Sequence, residues 1–279
     1  MMVDTLDWWP APAKLNLMLR ILGQREDGYH ALQTVFQFVD YGDALAFEIE
    51  GQQIVRAGSG DAIFEDDLTL RAAKLLQKAT GCQQGVKIHL KKVLPVGGGV
   101  GGGSSDAATT MVALNQLWSL GLSVSALAEL GLILGADVPV FIEGRAAWAE
   151  GVGEALTPIE LKEPWYLVVT PDVFVSTATV FNRPELPRNS QPISQSAYFA
   201  GSHQNDCTDT VMALYPEIKA VHQWLQSQGE ARLTGTGASV FLALNSQENA
   251  TDIARKMPKQ WPFFIAKGKN VSPLLEKIN

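Results

Sequence analysis

The sequence predicts an α+β fold arranged as two domains, and three observations carry that reading. Segments with apolar residues at every second position are interspersed with segments that repeat near 3.6 residues, so strands and helices are mixed along the chain. A length of 279 residues, at roughly 150 per domain, corresponds to one large or two ordinary domains. Pro158 and Pro164, with charged residues between them, mark a boundary, giving expected domains 1–157 and 158–279.

The elements follow in order. From Lys14 to Ile21, Leu15, Leu17, Leu19 and Ile21 alternate with Lys14, Asn16, Met18 and Arg20, the signature of a half-buried strand with Lys14 and Asn16 on one face. Arg25 to His30 contains Asp27-Gly28 and reads as a turn presenting Tyr29 and His30, before an apolar segment from Leu32 to Val39. Leu68 to Ala79 has helical periodicity with Gly81 as its stop, and Val86 to Leu90 alternates as a strand. After Pro95 and a glycine run, Ala107, Met111, Leu114 and Trp118 share a helical face. Ser123 or Ser125 caps a further helix that stops at Gly135, which puts Asp137 at a junction. In the second half, Tyr166 to Thr170 reads as a buried strand and Arg183 to Ser196 as an extended surface connection. Val211 to Leu225 reads as a helix despite Pro216, followed by Arg232-Leu233, a turn from Thr234 to Ser239, and a strand from Val240 to Leu244.

Composition excludes several classes of function. With 46% hydrophobic and 18% charged residues the chain is globular, and 29 acidic against 22 basic side chains disfavour a nucleic-acid partner. Two distant cysteines, Cys82 and Cys207, form neither a disulfide framework nor a paired metal site, and no cluster has metal-ligand spacing. His203 with Asp206 and Cys207 reads as a loop-to-helix junction. The first residues, with Asp4 and Asp7 and no basic start, do not read as a secretory signal. The uncharged stretch from Ala107 to Ala128 is broken at Leu120-Gly121-Leu122-Ser123, so it reads as two soluble helices and no membrane span is expected. A cytoplasmic location follows as an expectation, and the oligomeric state has no signal.

The run from Pro95 to Asp106 is the most informative stretch. Its glycines let successive backbone amides approach an anion, and the helix that follows adds the positive end of its dipole. Gly97-x-Gly99-x-x-Gly102 formally matches a dinucleotide fingerprint, but the first acidic residue after Asp106 is Glu129 and two helices intervene where a returning strand is needed. No Lys-Ser or Lys-Thr closes the run, so it is not a Walker A loop.

Pro12-Ala13-Lys14-Leu15-Asn16-Leu17, the loop from Pro95 to Ala108, and Thr234-Gly235-Thr236-Gly237-Ala238-Ser239 appear in the order of the three motifs of the GHMP kinases, which the chain resembles from about Pro12 to Phe241. Asp27-Gly28-Tyr29-His30 and Gly135-Ala136-Asp137-Val138-Pro139 narrow the resemblance to members that act on a cytidine diphosphate-linked methylerythritol. The resemblance implies a two-domain fold with the active site in the cleft between domains, and transfer of the γ-phosphate of ATP to the substrate's 2-hydroxyl in the non-mevalonate route to isoprenoid precursors. It implies Lys14 and Asp137 as the catalytic pair, a role consistent with a carboxylate that takes the hydroxyl proton and an ammonium that keeps it ionised. Pro95, Val96, Gly97, Gly98, Gly99, Val100, Gly101, Gly102, Gly103, Ser104 and Ser105 are the expected nucleotide cradle, with magnesium arriving on ATP and Ser105 near it. Tyr29 and His30 suit a cytosine ring, and the resemblance adds Phe181, Thr177, Phe36 and Asn16 to the substrate side. One departure is Asp67, which precedes Leu68 where related kinases commonly carry Asn-Leu near the adenine.

Overall fold

The protein, described from a computed structural model, is defined over residues 6–57 and 67–278; Asp4 lies outside the described residues. In chain order the elements are β1 (Trp9–Gln24), β2 (His30–Glu48), β3 (Ile54–Arg56), α1 (Leu68–Thr80), β4 (Val86–Lys91), α2 (Gly102–Leu117), α3 (Val124–Leu132) and α4 (Val138–Glu143). They continue with β5 (Ala147–Glu150), β6 (Ala155–Pro158), β7 (Trp165–Val169), α5 (Thr177–Phe181), α6 (Gln195–Phe199), α7 (Thr208–Leu214) and α8 (Pro216–Gln226). The last are β8 (Arg232–Leu233), β9 (Val240–Leu244), α9 (Gln247–Lys256), β10 (Phe263–Lys269) and α10 (Pro273–Ile278). This is the mixed α+β architecture expected.

The long strand β2 organises the first half. Antiparallel β1 runs along one edge, while β5, β10 and β4 follow one another along the other, at Thr34–Phe36, Phe38–Val39 and Ala44–Glu48. Through β10 the sheet continues to β7, β9 and β8, so one path of strands joins the two halves. Its link at β2 is short, with Gly268 opposite Val39 and Lys269 opposite Phe38.

Three apolar clusters hold this frame. The first sets Phe38, Leu45 and Ile88 of the sheet against Leu76 of α1, Met111 and Leu114 of α2, and Phe141 of α4. The second packs Leu167, Val169, Val240 and Leu242 against Val211, Ile218, Val221 and Ile253. The third fills the seam with Leu15, Leu17, Met18, Trp148, Tyr166, Phe241 and Phe264. The clusters share chain segments, because Leu19 and Ile21 of β1 belong to the second and Leu274 of α10 to the first.

Local differences from the sequence reading have physical causes. Burial of β1 is nearly continuous from Trp9 to Leu19, so its alternation separates two buried environments instead of core from solvent. Asn16 pairs with Phe36 and Met18 with Val35, so an extra residue at Leu17 bulges the strand and reverses which side chains face the cleft. Leu19, not Met18, follows Lys14 and Asn16 into it. The expected single helix from Val211 to Leu225 is two, because the backbone before Pro216 must leave the helical region; Tyr215 sits at φ −127°, ψ 92°, and Pro216 starts α8. Helix α2 begins four residues earlier than Asp106, and Ser123 caps α3 by accepting from the amide of Ala126. Asp67 caps α1 through the amide of Thr69, and Gly81 closes that helix in the left-handed conformation.

Candidate active site

A cleft of about 1270 Å³ runs between the halves. That exceeds the roughly 300–1,000 Å³ typical of a pocket for one small ligand, so it has room for two.

The centre is built from Lys14, Asn16 and Asp137. Lys14 is only 3% exposed, and its Nζ donates to Asn16 Oδ1 at 2.6 Å and lies 3.2 Å from Asp137 Oδ2. It also approaches the carbonyl of Gly99 at 3.5 Å and stands 5.2 Å from the centre of the Phe36 ring. A buried ammonium is tolerated only with such partners. Asp137 immediately precedes α4, and its side chain does not cap that helix, which leaves the carboxylate for Lys14 and the cleft. At 37% exposure it is open to a ligand. Asn16 is fixed from both sides: its amide nitrogen Nδ2 donates to Thr34 Oγ1 at 2.9 Å, and its backbone N–H donates to Thr234 Oγ1 at 2.9 Å.

The three sequence motifs therefore meet. The backbone N–H of Lys14 donates to the carbonyl of Val100 at 3.0 Å. The amides of Ala238 and Ser239 donate to the carbonyls of Gly97 and Gly98 at 3.2 and 3.0 Å. Glycine is required where these backbones touch: Gly99 has φ +73°, and a Cβ there would stand 2.4 Å from the carbonyl oxygen of Thr234. Pro95, Val96, Gly97, Gly98, Gly99, Gly101, Gly102, Gly103 and Ser104 line the cleft. Val100 and Ser105 do not. Val100 is packed in the seam, and the Ser105 hydroxyl is fully buried and donates to the carbonyl of Pro12 at 2.7 Å, so Ser105 does not face the cleft as expected, whereas Ser104 does.

At the glycine-loop end stands a charged cluster that sequence reasoning missed. Lys92 Nζ contacts Asp43 Oδ2 at 2.5 Å and Asp106 Oδ2 at 2.7 Å, and Asp43 also accepts from the amides of Val93 and Leu94. Burial pushes the Asp106 carboxyl up to about 7, with Lys92 opposing the rise and Asp43 adding to it. Burial alone would also raise Asp67, but hydrogen bonds from Thr69 and Arg56 hold it below the usual carboxylate value. Asp67, Leu68, Arg56, Lys92 and Asp106 all line this end of the cleft.

At the other end the turn from Arg25 to Tyr29 forms as expected, with the amide of Gly28 donating to Arg25 and that of Tyr29 to Asp27 Oδ1. Tyr29 is 63% exposed at the cleft mouth, while His30 is buried with its ring centre 4.9 Å from that of Phe181. Thr177 Oγ1 lies 3.1 Å from Thr236 Oγ1, tying α5 to the turn after β8. Tyr29, His30, Phe36, Thr177 and Phe181 thus join Asn16 around one space. Arg188, in the segment read as a surface connection, does not line this space but donates to His30 Nε2 at 3.1 Å. Its location in a polar stretch hides it from a composition-based reading.

His89, His222 and Cys207 do not line the cleft. His89 pairs with Glu48 on the outer sheet, and burial lowers the basicity of His222. Cys207 is buried at the start of α7, where desolvation pushes its thiol up to about 12.

Comparison with known proteins identifies the family. The GHMP kinases N terminal domain family matches residues 67–145 and the GHMP kinases C terminal family matches residues 186–262. A 4-diphosphocytidyl-2-C-methyl-D-erythritol kinase from Nitrosococcus oceani is 56% identical over 96% of this chain and 96% of its own length. One from Ectopseudomonas mendocina is 52% identical over 96% of this chain and 93% of its own length. A solved crystal structure of 4-(cytidine 5'-diphospho)-2C-methyl-D-erythritol kinase superposes with a TM-score of 0.82 at 32% identity, covering 94% of this chain and 99% of that one. With its three motifs gathered around one cleft and relatives this similar over nearly their whole length, the chain belongs to the GHMP kinases, in the family of the 4-diphosphocytidyl-2-C-methyl-D-erythritol kinases.

Proposed function

We propose that the protein transfers the γ-phosphate of ATP to the 2-hydroxyl of 4-diphosphocytidyl-2-C-methyl-D-erythritol, giving the 2-phosphate and ADP, as a step of the non-mevalonate route to isoprenoid precursors. The observation that carries this reading is the Lys14–Asp137 pair, standing between a glycine cradle on one side and the His30–Phe181 aromatic end on the other. ATP fits the cradle because the glycine-loop backbone and the start of the 16-residue helix α2 offer amide donors and a positive dipole end to phosphate. Added Cβ atoms at Gly99 and Gly101 would clash with the Thr234 carbonyl and the Phe141 ring, so glycine is what lets the loop lie this close to both. Leu68, Lys92 and Asp106 are then at the end proposed for the base.

In this reading Asn16 and Lys14 orient the acceptor, and Asp137 takes the proton of the 2-hydroxyl. The hydroxyl oxygen bonds to the γ-phosphorus as the bond to the β–γ bridging oxygen breaks, and ADP departs with that electron pair. Lys14 keeps Asp137 ionised and stabilises charge on the transferring oxygens. Magnesium, when bound with the triphosphate, supplies charge neutralisation. Among the described residues no three His, Cys, Asp or Glu side chains cluster as ligands, so Ser104 at the cradle is the protein group proposed to face it. Tyr29, His30, Phe181 and Thr177 are assigned to the cytidine, and Phe36 to the cleft wall beside Lys14. No helix among the described residues is long and apolar enough to cross a membrane, and a cytoplasmic location is proposed with no nucleic-acid partner.

Phosphorus NMR with Mg-ATP and the cytidine diphosphate-linked alcohol tests the reading. A new phosphomonoester and ADP from the wild type, absent with Asp137→Ala, is the expected result. Consumption of ATP with mevalonate or homoserine but not with this alcohol would overturn the substrate assignment.

A further inference from the structure

Arg188 makes four hydrogen bonds with one guanidinium. Its Nη1 donates to the carbonyl of Leu186 at 3.1 Å, and its Nη2 to the carbonyls of Phe181 and Arg183 at 2.6 and 2.8 Å. Its Nε donates to His30 Nε2, on β2, at 3.1 Å. The first three fix the guanidinium on the segment following α5, so the direction of the fourth is not adjustable. A guanidinium has only donors and does not lose its proton in proteins, so the nitrogen it meets must offer a lone pair. His30 is therefore held with Nε2 bare and the ring proton on Nδ1. Burial, helped by the nearby Arg188 charge, also lowers His30 below its ordinary value, which favours the same neutral ring.

We infer that Arg188 is a positioning residue for base recognition: by fixing the Nδ1–H tautomer of His30 it makes the ring a permanent donor, which selects cytosine over uracil. The inference rests on the reading that a cytidine diphosphate group occupies this end of the cleft. On their pairing edges the two bases differ at ring position 3, where cytosine carries a lone pair and uracil an N–H. A His30 free to change tautomer can accept from uracil as readily as it donates to cytosine. A ring locked as a donor leaves the uracil N–H opposed to another N–H, and an unpaired buried polar group is costly. Phe181 is held by the same guanidinium through its carbonyl, so the stacking surface and the hydrogen-bonding group are set against each other by one side chain.

The test pairs a spectrum with a substrate ratio, in the full-length protein. Nitrogen-15 NMR of labelled histidine in the wild type is expected to show His30 Nε2 unprotonated and Nδ1 protonated; the opposite assignment overturns the inference without reference to any substrate. In Arg188→Met the ring is expected to relax to a mixture of tautomers. The ratio of kcat/KM for the cytidine- over the uridine-diphosphate-linked alcohol should fall by about tenfold, the value of one hydrogen bond's discrimination. Arg188→Lys keeps a charged donor and should retain more of the nitrogen signature than Arg188→Met, which also serves if the methionine variant does not fold. An unchanged ratio in a variant whose tautomer has relaxed, or an unchanged tautomer in both variants, overturns the inference. Failure of the wild type on the cytidine compound, with the nitrogen assignment as expected, would instead overturn the proposed function.

Discussion

Lys14→Met and Asp137→Asn, alone and combined, examine whether the central pair works as a unit. Two unit charges 3.2 Å apart interact by about 5 kcal/mol at an effective dielectric of roughly 20. Asp137 is 37% exposed, and solvent screening cuts this to about 2–3 kcal/mol. Removing the ammonium while keeping side-chain length should therefore lower kcat by about 10² through the carboxylate's lost partner and the lost charge stabilisation. Asp137→Asn removes the proton acceptor and should cost about 10²–10⁴ in kcat. Because Lys14 acts largely through Asp137, the double variant should be no more than about threefold slower than the slower single variant. The assay is single-turnover phosphoryl transfer by rapid quench, with nucleotide affinity measured separately by calorimetry. Additive losses, with the double variant slower by the product of the two single effects, would refute the coupling.

Gly99→Ala should destabilise the protein by about 2–4 kcal/mol in urea unfolding, since a left-handed φ and a carbonyl 2.4 Å from the new Cβ both oppose it; a loss below 1 kcal/mol would show that the loop relaxes. Phe181→Ala should raise KM for the cytidine substrate by about tenfold or more with kcat within about threefold, as expected for lost stacking; a fall in kcat alone would count against its place at the base. Asp106→Asn has a signed dependence on pH. The folded protein holds the Asp106 proton up to about 7 while the unfolded chain releases it near 3.8, so the wild type loses that stabilisation progressively as pH rises from 3.8, the loss being complete once pH passes about 7. The variant should thus gain on the wild type between pH 5 and pH 8 in thermal melts, and a difference constant with pH would refute the raised value.

Much of the site was readable in the sequence because its chemistry sits in contiguous motifs whose glycines, lysine and aspartate have few other uses in such spacing. What pairing and packing decide was not. The bulge at Leu17 arises from how β1 meets β2, and no local signal in an alternating segment announces an extra residue. Ser105 and Ser104 are neighbours with equal propensities, and only the helical turn at the start of α2 sends one hydroxyl into the core and leaves the other at the cleft. Lys92, Asp43 and Asp106 come from three separate segments, so their mutual neutralisation is a property of the assembled fold. Arg188 lies among polar residues that composition assigns to solvent, and its role depends on a histidine 158 residues away.

The sharing of segments between cores bears on how the chain comes off the ribosome. The end of β1 is a wall of the second core, while α10 packs on β1 and buries Leu274 in the first, with Lys277 reaching Asp7 at 2.5 Å. An emerging N-terminal half thus lacks one wall of its core until α10 is made, and holds two apolar positions, Leu19 and Ile21, whose partners are not yet synthesised. Contacts this distant in sequence slow folding and prolong exposure of apolar surface. The first core therefore closes only after α10 has been synthesised, and a variant from which α10 is removed would leave that core open where Leu274 packs.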